Sequence, residues 1–147
     1  MFRRRYGTVE VLLVHPGGPF FRNKDGGAWT IPKGEASEGE DLRARAKLEF
    51  EEELGFEPAS SDWIELGTVK QKGGKTVRAW AFEGELPPDF VLRSNTFAME
   101  WPPRSGRTQD FPEIDRAEFF PADLAREKIN QAQIEFLDRL AGILQTP

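Results

Sequence analysis

Gly34-Glu35-Ala36-Ser37-Glu38-Gly39-Glu40-Asp41-Leu42-Arg43-Ala44-Arg45-Ala46-Lys47-Leu48-Glu49-Phe50-Glu51-Glu52-Glu53-Leu54-Gly55-Phe56 is the stretch on which the rest of the chain depends. Asp41 suits an N-cap, with its charge at the positive end of a helix dipole. Ser37 and Glu40 have capping-box spacing as a second option. The spacing predicts a helix from about Asp41 to Leu54. Gly55 is free to take the left-handed conformation that ends a helix, and Pro58 blocks its resumption.

A helix turns about 100° per residue. Residues three and four apart therefore share a face, which groups Glu49, Glu52 and Glu53 and sends Glu51 elsewhere. Ala46, Phe50 and Leu54 flank this acidic stripe on one side, Ala44 and Leu48 on the other. The expectation is a helix packed on both flanks, with the stripe facing a cleft. An acidic helix face is ordinarily just solvated. Here the glycine-rich lead, Glu40 and the Gly55 stop favour a site instead. Crowded carboxylates repel one another unless a cation sits among them, and hard oxygen donors suit Mg²⁺, Mn²⁺ or Ca²⁺. Such a cation can bridge a diphosphate and lower the pKa of a water for attack on phosphorus. Gly34 and Gly39 let the backbone bend close to it, so that a carbonyl can join the ligands.

The stretch resembles the Nudix box, Gly-x5-Glu-x7-Arg-Glu-U-x-Glu-Glu-x-Gly-U, where U is bulky and apolar. Gly34, Glu40, Glu49, Phe50, Glu52, Glu53, Gly55 and Phe56 fall on the pattern. Trp29-Thr30-Ile31-Pro32-Lys33-Gly34 also looks like the lead-in of members that act on diadenosine polyphosphates and related compounds. The resemblance implies an α+β fold, an α/β/α sandwich with a mixed β-sheet between helices. It implies hydrolysis of a nucleoside diphosphate linked to some group X. It implies Glu49, Glu52 and Glu53 as catalytic metal ligands for Mg²⁺ or Mn²⁺, the Gly34 carbonyl assisting, Glu49 orienting or deprotonating the water, and Glu40 supporting. A carboxylate from a later loop often assists in the family; Glu100 and Glu113 are the candidates, with Glu113 preferred. One position departs: the box arginine is Leu48 here, and Arg45, four residues before Glu49, is the substitute available. The departure admits a second reading, a nucleotide-binding module with little or no activity. Family domains also open with a longer strand than Met1–Arg5 supplies, which leaves open a truncated or misassigned start or a short first strand.

Outside the box, Thr8–His15 reads as a buried strand and Trp29–Pro32 as a short edge strand. Trp63–Lys70 and Lys75–Glu83 read as a hairpin around Gly73-Gly74. A strand is expected within Val91–Trp101, then a loop through Arg107, then a last strand over Ile114–Phe120. Pro121 opens a short helix. Gln131–Leu144 reads as an amphipathic helix with Ile134, Leu137, Leu140, Ile143 and Leu144 on one side. Lys33, Arg78 and Arg104 are candidate phosphate contacts, although Arg78 suits a solvent-facing strand position and Arg104 and Arg107 a solvated loop. Trp29, Trp80 and Trp101 are large enough to stack on a base; a core role is the ordinary one for each, as for Phe97 and Phe111. His15 reads as structural.

At 147 residues the chain is expected to form one domain, residues 1–147. A net charge of -5 argues against extended nucleic acid as a partner. No cysteine and one histidine exclude disulfides, thiolate sites and multi-histidine zinc sites. No run is long and apolar enough to span a membrane, and the first residues lack a signal-peptide core. The expectation is a cytoplasmic monomer or homodimer acting on a small-molecule nucleotide.

Overall fold

A computed structural model of the chain describes residues 1–33, 38–58 and 62–145. The element order is β1 (Phe2–Arg5), β2 (Thr8–Pro16), α1 (Leu42–Leu54), β3 (Ile64–Lys70), β4 (Thr76–Ala81), β5 (Thr96–Glu100), β6 (Thr108–Pro112), β7 (Ile114–Pro121), α2 (Ala122–Lys128), a turn of 3-10 helix at Gln131–Gln133, and α3 (Ile134–Gln145).

The centre is β2, paired antiparallel with β1 on one side and β7 on the other. Its apolar run is buried on both faces, and the two-residue period of a strand divides it. Val11 and Leu13 enter a core with Trp29, Phe120 and the α3 residues Phe136, Leu137 and Leu140. Leu12 and Val14 enter a second core with Phe50 and Leu54 of α1 and with Phe82. Helices therefore lie on both faces of the sheet. A parallel bridge, Phe2 with Glu83, joins the β1–β2–β7 sheet to the end of the β3–β4 ribbon and makes the arrangement mixed. This is the expected α+β sandwich.

The ribbon turns at Gly73 and Gly74, both at positive φ (88° and 83°), where glycine carries no steric penalty. In α1, the Asp41 side chain accepts from the Arg43 and Ala44 amides, and Gly55 closes the helix at φ 85°.

Four expectations change. Trp29 and Thr30 form isolated bridges to Ile129 and Val14 rather than a strand. Thr108–Pro112 is a strand, β6, that pairs with β5 to make a separate hairpin arm. On α1, Leu48 is 41% exposed and Ala44 is also exposed, so among the described residues only the Phe50–Leu54 flank is packed. On α3, Phe136 is a core residue and Ile143 is 42% exposed, because the helix rolls its buried stripe toward 136, 137 and 140.

Candidate active site

Burial of one flank of α1 carries two of its carboxylates inward with Phe50 and Leu54. Glu49 is 9% exposed and Glu53 7% exposed, while Glu52 is only half-buried. Burial pushes the Glu53 carboxyl up from an ordinary 4.5 to about 8; a hydrogen bond from the Lys33 amide opposes this, and the charges of Glu49 and Glu113 add to it. Glu49 is also pushed up by burial, against the Arg45 charge, with Glu52 and Glu113 adding to the rise. Glu113 comes from the junction of β6 and β7, so the charge of a carboxylate from a distant part of the chain acts on the helix.

Three backbone contacts place that junction. The Gly17 amide donates to the Glu113 carbonyl at 2.8 Å, and the Glu113 amide donates to Asn95 O at 2.8 Å. A Cβ on Gly17 would lie 2.0 Å from the Pro112 carbonyl oxygen. Gly17→Ala must therefore displace the base of the arm, and Glu113 with it. The expected result is a loss of about 1–3 kcal/mol in unfolding free energy; a melting temperature equal to wild type would remove this account of Gly17.

Arg45 reaches Glu49 one turn along the helix, with Nη2 2.7 Å from Glu49 Oε1 and Nε 4.0 Å from Glu40 Oε2. Among the described residues, the buried Arg45 Nε has no hydrogen-bond partner. The Lys33 amide donates to Glu53 Oε2 at 3.2 Å, which fixes the end of the segment after Ile31 against the helix.

Lys33, Arg45 and Glu49, but not Glu53 or Glu113, line a cleft of about 700 Å³ between α1, α3, the β3–β4 ribbon and the β1–β2 edge. Lys33, Arg45, Glu49, Arg78 and Trp80 all contribute to its wall. Arg104 and Arg107 do not: they sit in the turn at the tip of the β5–β6 arm, where the Arg104 amide donates to Glu100 Oε1 at 2.8 Å. Glu100 is thus engaged at the far end of β5, and Glu113 is the later carboxylate whose charge reaches the site. Trp29 is a core residue. Trp101 packs edge-on against Phe20, and Phe97 faces Phe111 across the arm. His15 is fully buried, with Nδ1 2.8 Å from Asp115 Oδ1 and Nε2 2.6 Å from the Lys24 carbonyl, a structural position.

Among the described residues, no three carboxylate or imidazole groups converge as a closed metal centre. Gly34, the expected carbonyl ligand, lies outside the described residues. The donor chemistry still fits a hard divalent cation. The Glu49 charge raises the proton affinity of Glu53, the Glu52 charge that of Glu49 and the Glu113 charge that of both, and every donor is oxygen. A cation among them would relieve the repulsion that burial has concentrated.

The model of the NUDIX domain matches residues 1–140. No curated protein matches the sequence. Among solved structures, an Ap4A hydrolase from C. elegans in a binary complex superposes with a TM-score of 0.67 at 20% identity, over 97% of this chain and 92% of that one. The NUDIX domain of Shewanella oneidensis NrtR, complexed with ADP ribose, gives 0.65 at 16% identity, over 98% and 83%. A MutT protein from Methanosarcina mazei Go1 gives 0.59 at 18% identity, over 99% and 91%.

Proposed function

The chain belongs to the Nudix family of pyrophosphohydrolases, and on that premise we propose that it cleaves a pyrophosphate linkage in a nucleotide, with a dinucleoside polyphosphate or a nucleoside triphosphate as substrate and Mg²⁺ or Mn²⁺ as cofactor. One observation carries the reading: Glu49 and Glu53 are buried on one helix, Glu49 lines a cleft, and Glu113 adds its charge to both. Burying like charges costs stability, and a phosphate-bound cation is the partner that repays it.

Glu49, Glu52 and Glu53 would hold the cation, with the Gly34 carbonyl. When bound, the cation supplies charge neutralisation for the phosphates and acidifies the attacking water. Glu49 orients that water and takes its proton, and Arg45 keeps Glu49 aimed. Lys33 and the Arg45 guanidinium offer donors to phosphate oxygens along the cleft. The dinucleoside choice rests on the Trp29–Gly34 lead-in and on the likeness to a fold whose C. elegans member is an Ap4A hydrolase. Arg104, at the tip of the arm, has no part in this reading.

The test is a hydrolysis screen with Mg²⁺ and with Mn²⁺ over nucleoside triphosphates, nucleotide sugars, dinucleoside polyphosphates and capped RNA, with products resolved. Turnover that stops in EDTA, greatest on dinucleoside polyphosphates or triphosphates, is the expected result. Leu48 in the box favours a second reading, a nucleotide-binding module. Tight nucleotide binding with no turnover across the panel would establish it in place of the enzyme.

A further inference from the structure

Phe82, Trp80, Arg78 and Thr76 project from one face of β4 and its extension, because side chains alternate along a strand. Val77, Ala79 and Ala81 take the other face, into the core shared with α3. The row begins under α1, where Phe82 packs edge-on against Phe50 with ring centroids 5.2 Å apart. Phe50 follows Glu49 directly. Two residues along a strand is about 7 Å, so Trp80 lies one such step from the ring that touches the carboxylate-bearing helix.

The aromatic rings here are not equivalent. The Trp63 ring is stacked on Phe82, with centroids 5.2 Å apart and planes 19° apart, and Arg43 lies over it at 5.5 Å. Trp80 is half-buried and lines the cleft. The Arg78 guanidinium lies over its ring, 4.9 Å from the centroid, and among the described residues no aromatic ring packs on it. Glu65, opposite Trp80 in the ribbon register, anchors that guanidinium: Arg78 Nε donates to Glu65 Oε1 at 3.1 Å, and Nη2 pairs with the same oxygen. The result is a braced indole–guanidinium pair on the cleft wall.

We propose that Trp80 and Arg78 form the shelf on which the planar base of a nucleotide stacks, with its phosphates directed toward Glu49 and Arg45. The inference rests on the nucleotide reading above and adds the subsite that takes the base. Stacking on an aromatic or guanidinium plane needs only the π-face of the base, so the shelf supplies affinity for any nucleotide, while the phosphate contacts lie elsewhere.

The experiment measures KM and kcat on the substrate found in the screen, and the metal-free dissociation constants of ADP and of inorganic tripolyphosphate, for wild type, Trp80→Phe, Trp80→Ala and Arg78→Met. Trp80→Ala is expected to raise KM and the ADP dissociation constant by about tenfold or more. It should leave kcat within about threefold and tripolyphosphate binding unchanged. Trp80→Phe should keep most of the affinity, and Arg78→Met should lose several-fold. If Trp80→Ala does not fold, Arg78→Met decides, and an unchanged ADP constant there overturns the shelf. Equal loss of ADP and tripolyphosphate binding in Trp80→Ala also overturns it, since that marks a structural effect. A wild type that hydrolyses or binds nucleotides while Trp80→Ala binds ADP normally removes the shelf alone. A wild type that does neither removes the nucleotide reading with it.

Discussion

Glu53→Gln is expected to lower turnover by about 10³-fold or more and, at the same time, to make the metal-free protein harder to melt. The loss follows from the proposed role. A ligand that holds a divalent cation against a phosphate contributes several kcal/mol to the transition state, and each 1.4 kcal/mol is about tenfold in rate. Glutamine keeps the shape and removes the charge. The gain follows from burial. The Glu53 carboxyl is held at about 8 in the fold against an ordinary 4.5, chiefly because it is desolvated. A group whose folded pKa is raised contributes stability in full below its unfolded pKa and loses it as pH climbs through the folded value. The metal-free wild type should therefore weaken, by on the order of 1–3 kcal/mol, from about pH 5 to about pH 9. Glu53→Gln should flatten that slope, and Mg²⁺ or Mn²⁺ should restore the wild type at the alkaline end. Thermal melts across pH, with and without cation, check both halves. Wild-type activity in the variant would remove Glu53 from the site, and an unchanged slope would show that its burial does not govern the pH dependence.

How far the sequence reaches is visible at particular residues. The helix over Leu42–Leu54 was readable because its signals are local: a capping aspartate, a terminating glycine and a spacing that groups Glu49, Glu52 and Glu53. The β3–β4 ribbon was readable from Gly73-Gly74 for the same reason. The strand Thr108–Pro112 was not, since Thr-Gln-Asp-Phe-Pro has little apolar alternation and becomes a strand by pairing in register with Thr96–Glu100. Arg78 and Arg104 look alike as exposed cations. Pairing register sets one on the cleft wall and the other at the tip of the arm. The second apolar flank of α1 misled because Ala44 and Leu48 have the right spacing but none of the described residues buries them. Trp80 and Trp101 likewise separate only once the layers are assembled.

Leu48 and Arg45 pose the last test, because the box asks for an arginine at one and the chain carries it at the other. The Leu48 side chain is 41% exposed. Arg45 instead pairs with Glu49 at 2.7 Å and approaches Glu40 at 4.0 Å. Arg45→Ala strips a buried carboxylate of its counter-charge, and groups that orient a metal ligand are typically worth 10–100-fold in activity; the expected loss is within that range, about tenfold to a hundredfold. The sign of the pH effect follows from the Arg45 charge, which holds Glu49 down against burial. Without it the carboxyl rises further, so the acid limb of the rate profile should move to higher pH, and cation affinity at fixed pH should fall. A merely structural arginine would lower the melting temperature and leave the acid limb in place. Leu48→Arg, adding a charge on the outer face, should change turnover by less than about threefold. If Leu48→Arg instead raises turnover tenfold while Arg45→Ala is silent, the arginine at 45 is incidental and the protein is a weakened enzyme that a single substitution repairs.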